Sequence, residues 1–158
     1  MFRVGIIGPE STGKTTLAKQ MAEQLGGVFI PEYAREYVER KGSTEVTFDE
    51  LCILARQQIE VLEDERMIGA KDERVYIFDT ELIITRVWFS EVFGCIPEWL
   101  DEAIKRYPMN LYLLCRPDIE WVADAARSNG EQTMREHLFG CYQRELETRG
   151  LPYYIIRH

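Results

Sequence analysis

The sequence predicts an α/β protein in which a parallel β-sheet is covered by helices on both faces. Two observations support this fold class: five short, almost continuously apolar segments recur along the chain, and amphipathic stretches of helical length separate them. Strands without polar alternation are typical of a sheet buried on both faces. Helical stretches between such strands are typical of parallel pairing.

The predicted strands and helices alternate in a regular order. The strands cover residues 3–7, 28–30, 75–78, 111–115 and 153–156. The helices cover residues 14–25, 32–41, 47–71, 80–93, 97–106 and 131–149, and four of them end at Gly26, Gly42, Gly94 and Gly150. Thr47 and Glu50 have the spacing of a capping box at the start of the third helix.

Composition excludes several functional classes. With 46% hydrophobic residues the chain is too apolar for a disordered protein, and no apolar run approaches the roughly 18 residues of a membrane helix. A formal net charge of −8 argues against broad electrostatic binding of nucleic acid or anionic membranes. The four scattered cysteines lack metal-ligand spacing, which argues against a zinc site and fits a reducing cytoplasm. His137 is interpreted as a surface or satisfied helix residue.

The most specific local pattern is a phosphate-binding loop between the first strand and the first helix. Residues 8–15 match G-x-x-x-x-G-K-[ST] completely. Glycines let backbone N–H groups approach a polyphosphate, and the helix N-terminus adds partial positive charge. Lys14 is expected to reach the β- and γ-phosphates of ATP, and Thr15 to bind Mg²⁺. The candidate ATP-binding residues are Gly8, Glu10, Ser11, Thr12, Gly13, Lys14, Thr15, Thr16 and, from the last helix, Arg135.

Asp79 is the second candidate metal ligand. It ends the third strand, at the sheet edge where ligands of parallel sheets bind. A carboxylate there holds Mg²⁺ or its water shell, as a Walker-B aspartate does. The structural alternative is an N-cap for the helix that starts near Thr80. The two roles are compatible, and we expect Thr15 and Asp79 to form the metal site.

A candidate acceptor site follows the second strand. Glu32 comes directly after Pro31, where the carboxyl end of the strand faces the phosphate loop. A carboxylate at this place accepts the proton of a substrate hydroxyl as that hydroxyl attacks the γ-phosphate. Arg35 is a candidate for binding a ligand oxygen or for orienting Glu32. The candidate aromatic rings for stacking on a flat substrate base are Tyr33, Trp88 and Trp121.

A candidate lid follows the fourth strand, over residues 118–130. Phosphoryl transfer needs positive charge on the moving group and the exclusion of water, and a mobile lid that carries arginines supplies both. Arg127, beside the flexible residues 128–130, is the first candidate for closing over the phosphates, and Arg135 is the second. The alternative interpretation of both residues is an ordinary surface arginine.

Together these segments resemble the bacterial-type nicotinamide riboside (NR) kinases, usually met as the kinase domain of bifunctional NMN adenylyltransferase/ribosylnicotinamide kinase proteins. The resemblance rests on segments in the family's order, namely residues 8–15, 31–37, 78–82 followed by Trp88, 92–94 and 118–124. It implies a P-loop nucleotide-kinase-like fold with about five parallel strands and a helical lid, and residues 1–158 as a single kinase domain. It also implies ATP-dependent phosphorylation of the NR 5′-hydroxyl, giving NMN for NAD synthesis.

The resulting hypothesis is a cytoplasmic small-molecule kinase that uses ATP and Mg²⁺. Lys14, Glu32 and Arg127 are its candidate catalytic residues, and its partners are small molecules, with no nucleic acid and no membrane. One alternative is a kinase for another nucleoside. The other is an ATPase switch whose lid segment contacts a protein partner. ADP formation that depends on a small acceptor distinguishes a kinase from a switch.

Overall fold

Five parallel strands form the centre of the molecule. The computed structural model describes residues 1–10, 12–32, 34, 37, 40–42, 45–69, 73–117 and 129–157. The strands are β1 (Phe2–Ile7), β2 (Val28–Ile30), β3 (Val75–Asp79), β4 (Leu111–Cys115) and β5 (Tyr153–Ile156). They form one sheet in the order β2-β3-β1-β4-β5, and every neighbouring pair is parallel. The predicted five-stranded parallel sheet is therefore confirmed.

Helices connect these strands. The helices with described bounds are α1 (Lys14–Leu25), α2 (Phe48–Gly69), α3 (Leu82–Trp88), α4 (Glu98–Arg106) and α5 (Asn129–Thr148). A π-helical turn, Phe89–Phe93, continues α3. Within the predicted helix at 32–41, the described residues Ala34, Tyr37, Arg40 and Lys41 are helical. In the described part of the chain, no helix combines the length and apolar character needed to cross a membrane.

Apolar side chains cover both faces of the sheet, as predicted. On one face Ile7 and Tyr112 pack in a core that includes residues of α2, α3, α4 and α5. On the other face Ile6 and Ile77 pack against Ala18 of α1. Alternate residues of β1 thus enter opposite cores, as expected for a strand whose successive side chains point to opposite faces. The predicted lid at 118–130 lies outside the described residues, except for the start of α5.

The fourth predicted helix begins later along the chain than expected, and this corrects the helix predicted over residues 80–93. Thr80 has a φ of 72°, which no α-helical residue adopts, so α3 starts only at Leu82. The carboxylate of Glu81 accepts a hydrogen bond from the Ile83 N–H at 2.6 Å and thereby caps the helix. Asp79 is therefore not the N-cap.

Glu50 connects the helical segment after β2 to the start of α2. The Thr47 N–H donates to Glu50 Oε1 and the Glu50 N–H donates to Thr47 Oγ1, both at 3.1 Å, which confirms the capping box. The Glu50 carboxylate also accepts from Lys41 Nζ at 2.7 Å and from the Tyr37 hydroxyl. The hydrogen bond from Lys41, followed by those from Tyr37 and Thr47, lowers the pKa of Glu50 to about 2.

We expect Glu50→Gln to remove a pH-dependent part of the stability. Because the pKa of Glu50 is depressed in the folded state, its ionised form stabilises the fold above the ordinary value of 4.5, and this contribution is lost as the pH falls toward 2. The melting-temperature difference between wild type and Glu50→Gln should therefore be greatest near neutral pH and shrink steadily below 4.5. Asp49→Asn, in the same turn, is the matched control. A difference that stays constant on acidification would contradict this role.

We also expect Thr80→Gly to be more stable than Thr80→Ala by about 1 kcal/mol. Both substitutions remove the hydroxyl, but only glycine adopts a φ of 72° without strain. Urea unfolding of the two variants measures the difference. At Thr16, an exposed position inside α1, the same two substitutions should rank in the opposite order. If alanine is the more stable residue at both positions, the strain at Thr80 is absent.

Candidate active site

The connection from β1 to α1 forms the phosphate loop. Lys14 begins α1, and its Nζ donates to the carbonyl oxygens of Gly8 and Pro9, both at 2.9 Å. The buried hydroxyl of Thr12 also donates to the Pro9 carbonyl, at 2.8 Å. These bonds fold the loop around the ammonium group of Lys14. A cation and the N-terminus of α1 thus lie together, which is the arrangement that binds phosphate groups.

Two glycines make this loop sterically possible. Gly8 has a φ of 152°, and a Cβ there would lie 2.8 Å from the carbonyl oxygen of Cys115 at the end of β4. Gly13 has a φ of 78° immediately before the first residue of α1. A side chain at either position would strain the backbone. The glycines of the sequence pattern are therefore required by the path of the chain.

Thr15 and Asp79 are in direct contact. The Thr15 hydroxyl donates to Asp79 Oδ2 at 2.6 Å. The other carboxylate oxygen of Asp79, Oδ1, is buried and has no hydrogen-bond partner in the described part of the chain. Burying a carboxylate oxygen without a donor is unfavourable, and a bound cation would remove this cost. Since Mg²⁺ prefers oxygen ligands, these two residues fit a magnesium ion at the phosphate loop.

A cleft of about 540 Å³ lies beside the loop. Lys14, Glu32 and Arg135 line it, and Trp88 of α3 lies in its apolar wall. These four residues come from four different segments of the chain, and the structure brings them around one space. The sequence-based prediction assigned them to phosphate binding, proton transfer, base stacking and the lid.

Charge in this cleft is arranged around Lys14. Burial lowers the pKa of Lys14, and the carboxylates of Glu32 and Asp79 act in the opposite direction. The two carboxylates come from the ends of different strands, β2 and β3. Both carboxylates are therefore close enough to the ammonium group to interact with its charge. Such a site can bind an anion at Lys14 and a proton or a cation beside it.

Arg135 connects α5 to the phosphate loop. Its side chain is 5% exposed. Its Nε donates to the Glu10 carbonyl at 3.1 Å, and Nη1 donates to Gln132 Oε1 at 2.8 Å. The loop and Arg135 are 125 residues apart in the sequence, so their contact depends on how α5 packs. The guanidinium adds a second positive charge at the phosphate end of the cleft.

Thr80 lies in the cleft with a strained backbone. Among the described residues it is the single non-glycine residue with a positive φ. Its hydroxyl is buried without a hydrogen-bond partner in that same set, and its side chain lines the cleft. The Thr80 N–H donates to the Ile6 carbonyl at 3.0 Å, which holds the backbone in this conformation. Strained residues that the surrounding structure holds in place are typical of ligand sites.

Some predicted residues lie outside the part of the chain that the structure describes, and their roles stay predictions. They are Ser11, Tyr33, Arg35, Trp121 and Arg127. Thr16 is exposed on α1. The cleft wall also contains residues that the sequence-based prediction did not include: Thr80, Ile84, Val87 and Glu91 beside Trp88, and Met134, Leu138 and Tyr142 on α5. These residues are spaced three or four apart along the chain, which is the one sequence signal that they share a helix face. Residues that face the core have the same spacing, so it does not distinguish the cleft wall from the core.

A family model described as an AAA domain (AAA_28) matches residues 3–158. The trifunctional NAD biosynthesis/regulator protein NadR of Escherichia coli (strain K12) is 25% identical over 156 residues, which cover 95% of this chain and 37% of that protein. The match to NadR of Salmonella typhimurium covers 32% of that protein. The chain thus spans about a third of the length of the curated relatives it matches.

Solved structures share the fold. NadR protein in complex with NR has a TM-score of 0.79 at 25% identity, covering 99% of this chain and 46% of that chain. The complex of NadR with NAD and AMP-PNP has a TM-score of 0.76 at 25% identity, covering 99% and 44%. Thymidylate kinase from Ehrlichia chaffeensis, at 13% identity, has a TM-score of 0.68 over 98% of this chain and 86% of that chain. The P-loop nucleotide-kinase-like fold is confirmed, and the chain belongs to the AAA domain family as a homologue of NadR.

Proposed function

We propose that this chain is an ATP-dependent kinase that transfers the γ-phosphoryl group of ATP to the 5′-hydroxyl of nicotinamide riboside, giving NMN. One observation carries the proposal: Lys14 of the phosphate loop and Glu32 at the end of β2 line the same cleft. A phosphate-binding cation and a carboxylate in one space are what phosphoryl transfer to an alcohol requires. The relatives support the choice of ligands, since NadR has been solved with NR and with AMP-PNP.

Lys14 and the phosphate loop are proposed to bind the β- and γ-phosphates. The backbone of residues 8–13 and the start of α1 supply N–H groups, while Thr12 keeps the loop in shape. Burial of Lys14 strengthens its attraction to phosphate charge, because surrounding protein screens less than water. Arg135 lies at the same end of the cleft, and Arg127 is proposed to close over the phosphates.

Thr15 and Asp79 are proposed to hold Mg²⁺. Their contact leaves Asp79 Oδ1 available to a cation. When bound, magnesium neutralises part of the phosphate charge. Thr15 and Asp79 would place the charge of the magnesium ion beside Lys14. Asp79 ends β3, and Thr15 follows β1 through the phosphate loop, so the pairing of β1 with β3 brings the two oxygen donors to the same sheet edge.

Glu32 is proposed to accept the proton of the 5′-hydroxyl, and the acidic cleft is proposed to select a cationic acceptor. Glu10, Glu32 and Glu91 all line the cleft. The nicotinamide ring of NR carries a fixed positive charge, so these carboxylates attract it, and the Trp88 ring offers a cation–π contact of roughly 0.5–2 kcal/mol. Tyr33, Arg35 and Trp121 complete the proposed acceptor side.

The same proposal includes the domain organisation, the cellular location and the partners of the kinase. We propose a single kinase domain over residues 1–158 that acts on small molecules in the cytoplasm, with no nucleic-acid partner. The single sheet formed by all five described strands supports one domain. The net charge of −8 supports the absence of a nucleic-acid partner, and the four free cysteines support a location in the reducing cytoplasm.

A coupled ADP assay tests the function. We expect NR to be used with a higher kcat/KM than uridine, cytidine or adenosine, because the neutral nucleosides lack the ring charge. Glu32→Gln should lose at least about tenfold in kcat, the scale of one positioned proton acceptor. Its KM for ATP should hardly change, since Glu32 is on the acceptor side. Lys14→Ala, checked for folding by circular dichroism, is the inactive control.

Two results of this assay lead to other assignments. A neutral nucleoside that is phosphorylated better than NR would replace the acceptor and leave the kinase in place. ADP formation that no nucleoside stimulates would contradict the kinase and favour an ATPase switch. Either result appears in the same set of measurements.

Asp79→Asn should separate metal binding from stability. We expect the Mg²⁺ concentration for half-maximal rate to rise at least about tenfold, because one ligand charge is lost. Without Mg²⁺ the melting temperature should change little, since the loss of the attraction to Lys14 is offset by neutralising a buried carboxylate whose Oδ1 has no donor in the described part of the chain, and Glu81 caps α3. A magnesium titration and thermal melts measure the two effects. An unchanged magnesium response with a large fall in melting temperature would make Asp79 a structural residue.

A further inference from the structure

Three side chains with metal-ligating atoms meet where the π-helical turn after α3 contacts α5. They are Glu91 from the turn, and His137 and Cys141 from α5. Glu91 Oε2 lies 3.0 Å from His137 Nε2. Cys141 Sγ lies 3.5 Å from Glu91 Oε1 and 3.5 Å from His137 Nε2. One carboxylate oxygen of Glu91 thus faces the imidazole, the other faces the thiol, and the imidazole nitrogen and the sulfur face each other.

The separations between these groups are close to the spacing of ligands around tetrahedral zinc. Zinc bonds of about 2.0 Å to oxygen and nitrogen and about 2.3 Å to sulfur place ligand atoms about 3.3–3.6 Å apart at tetrahedral angles. The observed separations are 3.0, 3.5 and 3.5 Å. One ligand atom from each of the three side chains lies within 4.8 Å of the other two, so a shift of the Glu91 carboxylate brings one of its oxygens to an ion held by His137 and Cys141.

Helix geometry explains how the three groups come together. His137 and Cys141 are four residues apart, which places them on the same face of α5. Glu91 lies in a π-helical turn, a rare conformation that occurs frequently at functional sites. The chain thus presents two ligands from one helix and a third from a distortion of another helix. The spacing of the cysteines and the presence of only two histidines in the sequence argue against a zinc site, whereas this cluster combines one cysteine, one histidine and one glutamate.

We propose that Glu91, His137 and Cys141 form a zinc-binding site with three protein ligands and an open fourth position. A carboxylate, an imidazole and a thiolate are all zinc ligands, whereas Mg²⁺ selects oxygen donors alone. On binding, the Cys141 thiol releases its proton to solvent, so zinc, thiolate and carboxylate sum to zero charge. The His137 side chain is 47% exposed, which leaves the fourth position to water.

A neighbouring arginine supports the sulfur ligand. Arg144 Nη2 donates to Cys141 Sγ at 3.4 Å. Hydrogen bonds from outside the ligand set orient metal ligands and stabilise their ligating form. The site is separate from Thr15 and Asp79, but Glu91 also lines the cleft. Bound zinc would therefore hold the π-helical turn against α5 within the cleft wall, and it would neutralise the charge that Glu91 otherwise offers to a cationic acceptor.

Cobalt(II) is the probe, because a thiolate bound to Co²⁺ absorbs strongly in the near ultraviolet. The full, reduced chain is titrated with Co²⁺ in excess Mg²⁺. We expect one bound equivalent with this absorption band, and displacement of Co²⁺ by Zn²⁺. Cys141→Ser should lose the band, and His137→Ala should weaken Co²⁺ binding at least about tenfold. Cys95→Ser, at an exposed cysteine outside the cluster, is the matched control and should bind as wild type does.

Several results would overturn the site. Absence of the band in the wild type would leave the three residues as a hydrogen-bond network only. Unweakened binding by His137→Ala, or loss of binding in Cys95→Ser, would place the cation elsewhere. Cys141 is buried, so circular dichroism checks its variant, while the exposed His137 provides a substitution outside the core. The absorption readout needs no turnover, so failure of the zinc site and failure of the proposed kinase are distinguishable.

Discussion

The parallel pairing of β1 with β3 and β4 is the constraint on which the site depends. The register places Ile6 opposite Asp79, so the chain enters the phosphate loop at the same sheet edge where Asp79 ends β3. On the other side, Gly8 lies so close to Cys115 of β4 that a Cβ would be 2.8 Å from its carbonyl oxygen. The loop therefore starts from a backbone that is held on both sides.

Local charge in the cleft opposes the overall charge of the chain. The net charge is −8, yet the loop presents the buried ammonium group of Lys14 and the guanidinium of Arg135 at one end of the cleft. Carboxylates at the ends of β2 and β3 lie beside this positive end. Burial increases the strength of each charge because less water screens it. The function of this site therefore depends on where its individual charges lie, and the net charge of the chain says little about it.

A charge network keeps α5 in the position that the cleft needs. Arg86 of α3 donates to Asp101 of α4 at 2.7 Å and to Glu145 of α5. Arg149, just after α5, donates to the same two carboxylates, at 2.7 and 3.1 Å. The network connects three helices at the C-terminal end of α5. The same helix brings Arg135 to the phosphate loop and Cys141 to Glu91, so both contacts depend on how it is packed.

The sequence by itself determined the strands, most helix bounds and the phosphate loop, because apolar runs, caps and glycine spacing are local patterns. It also placed Glu32 and Asp79 at one edge, since parallel strands end together. Only the tertiary structure decided where α3 begins, because Thr80 is held by a bond to Ile6 in another strand. The cluster of Glu91, His137 and Cys141 likewise joins positions 46 and 50 residues apart, a distance that no local pattern encodes.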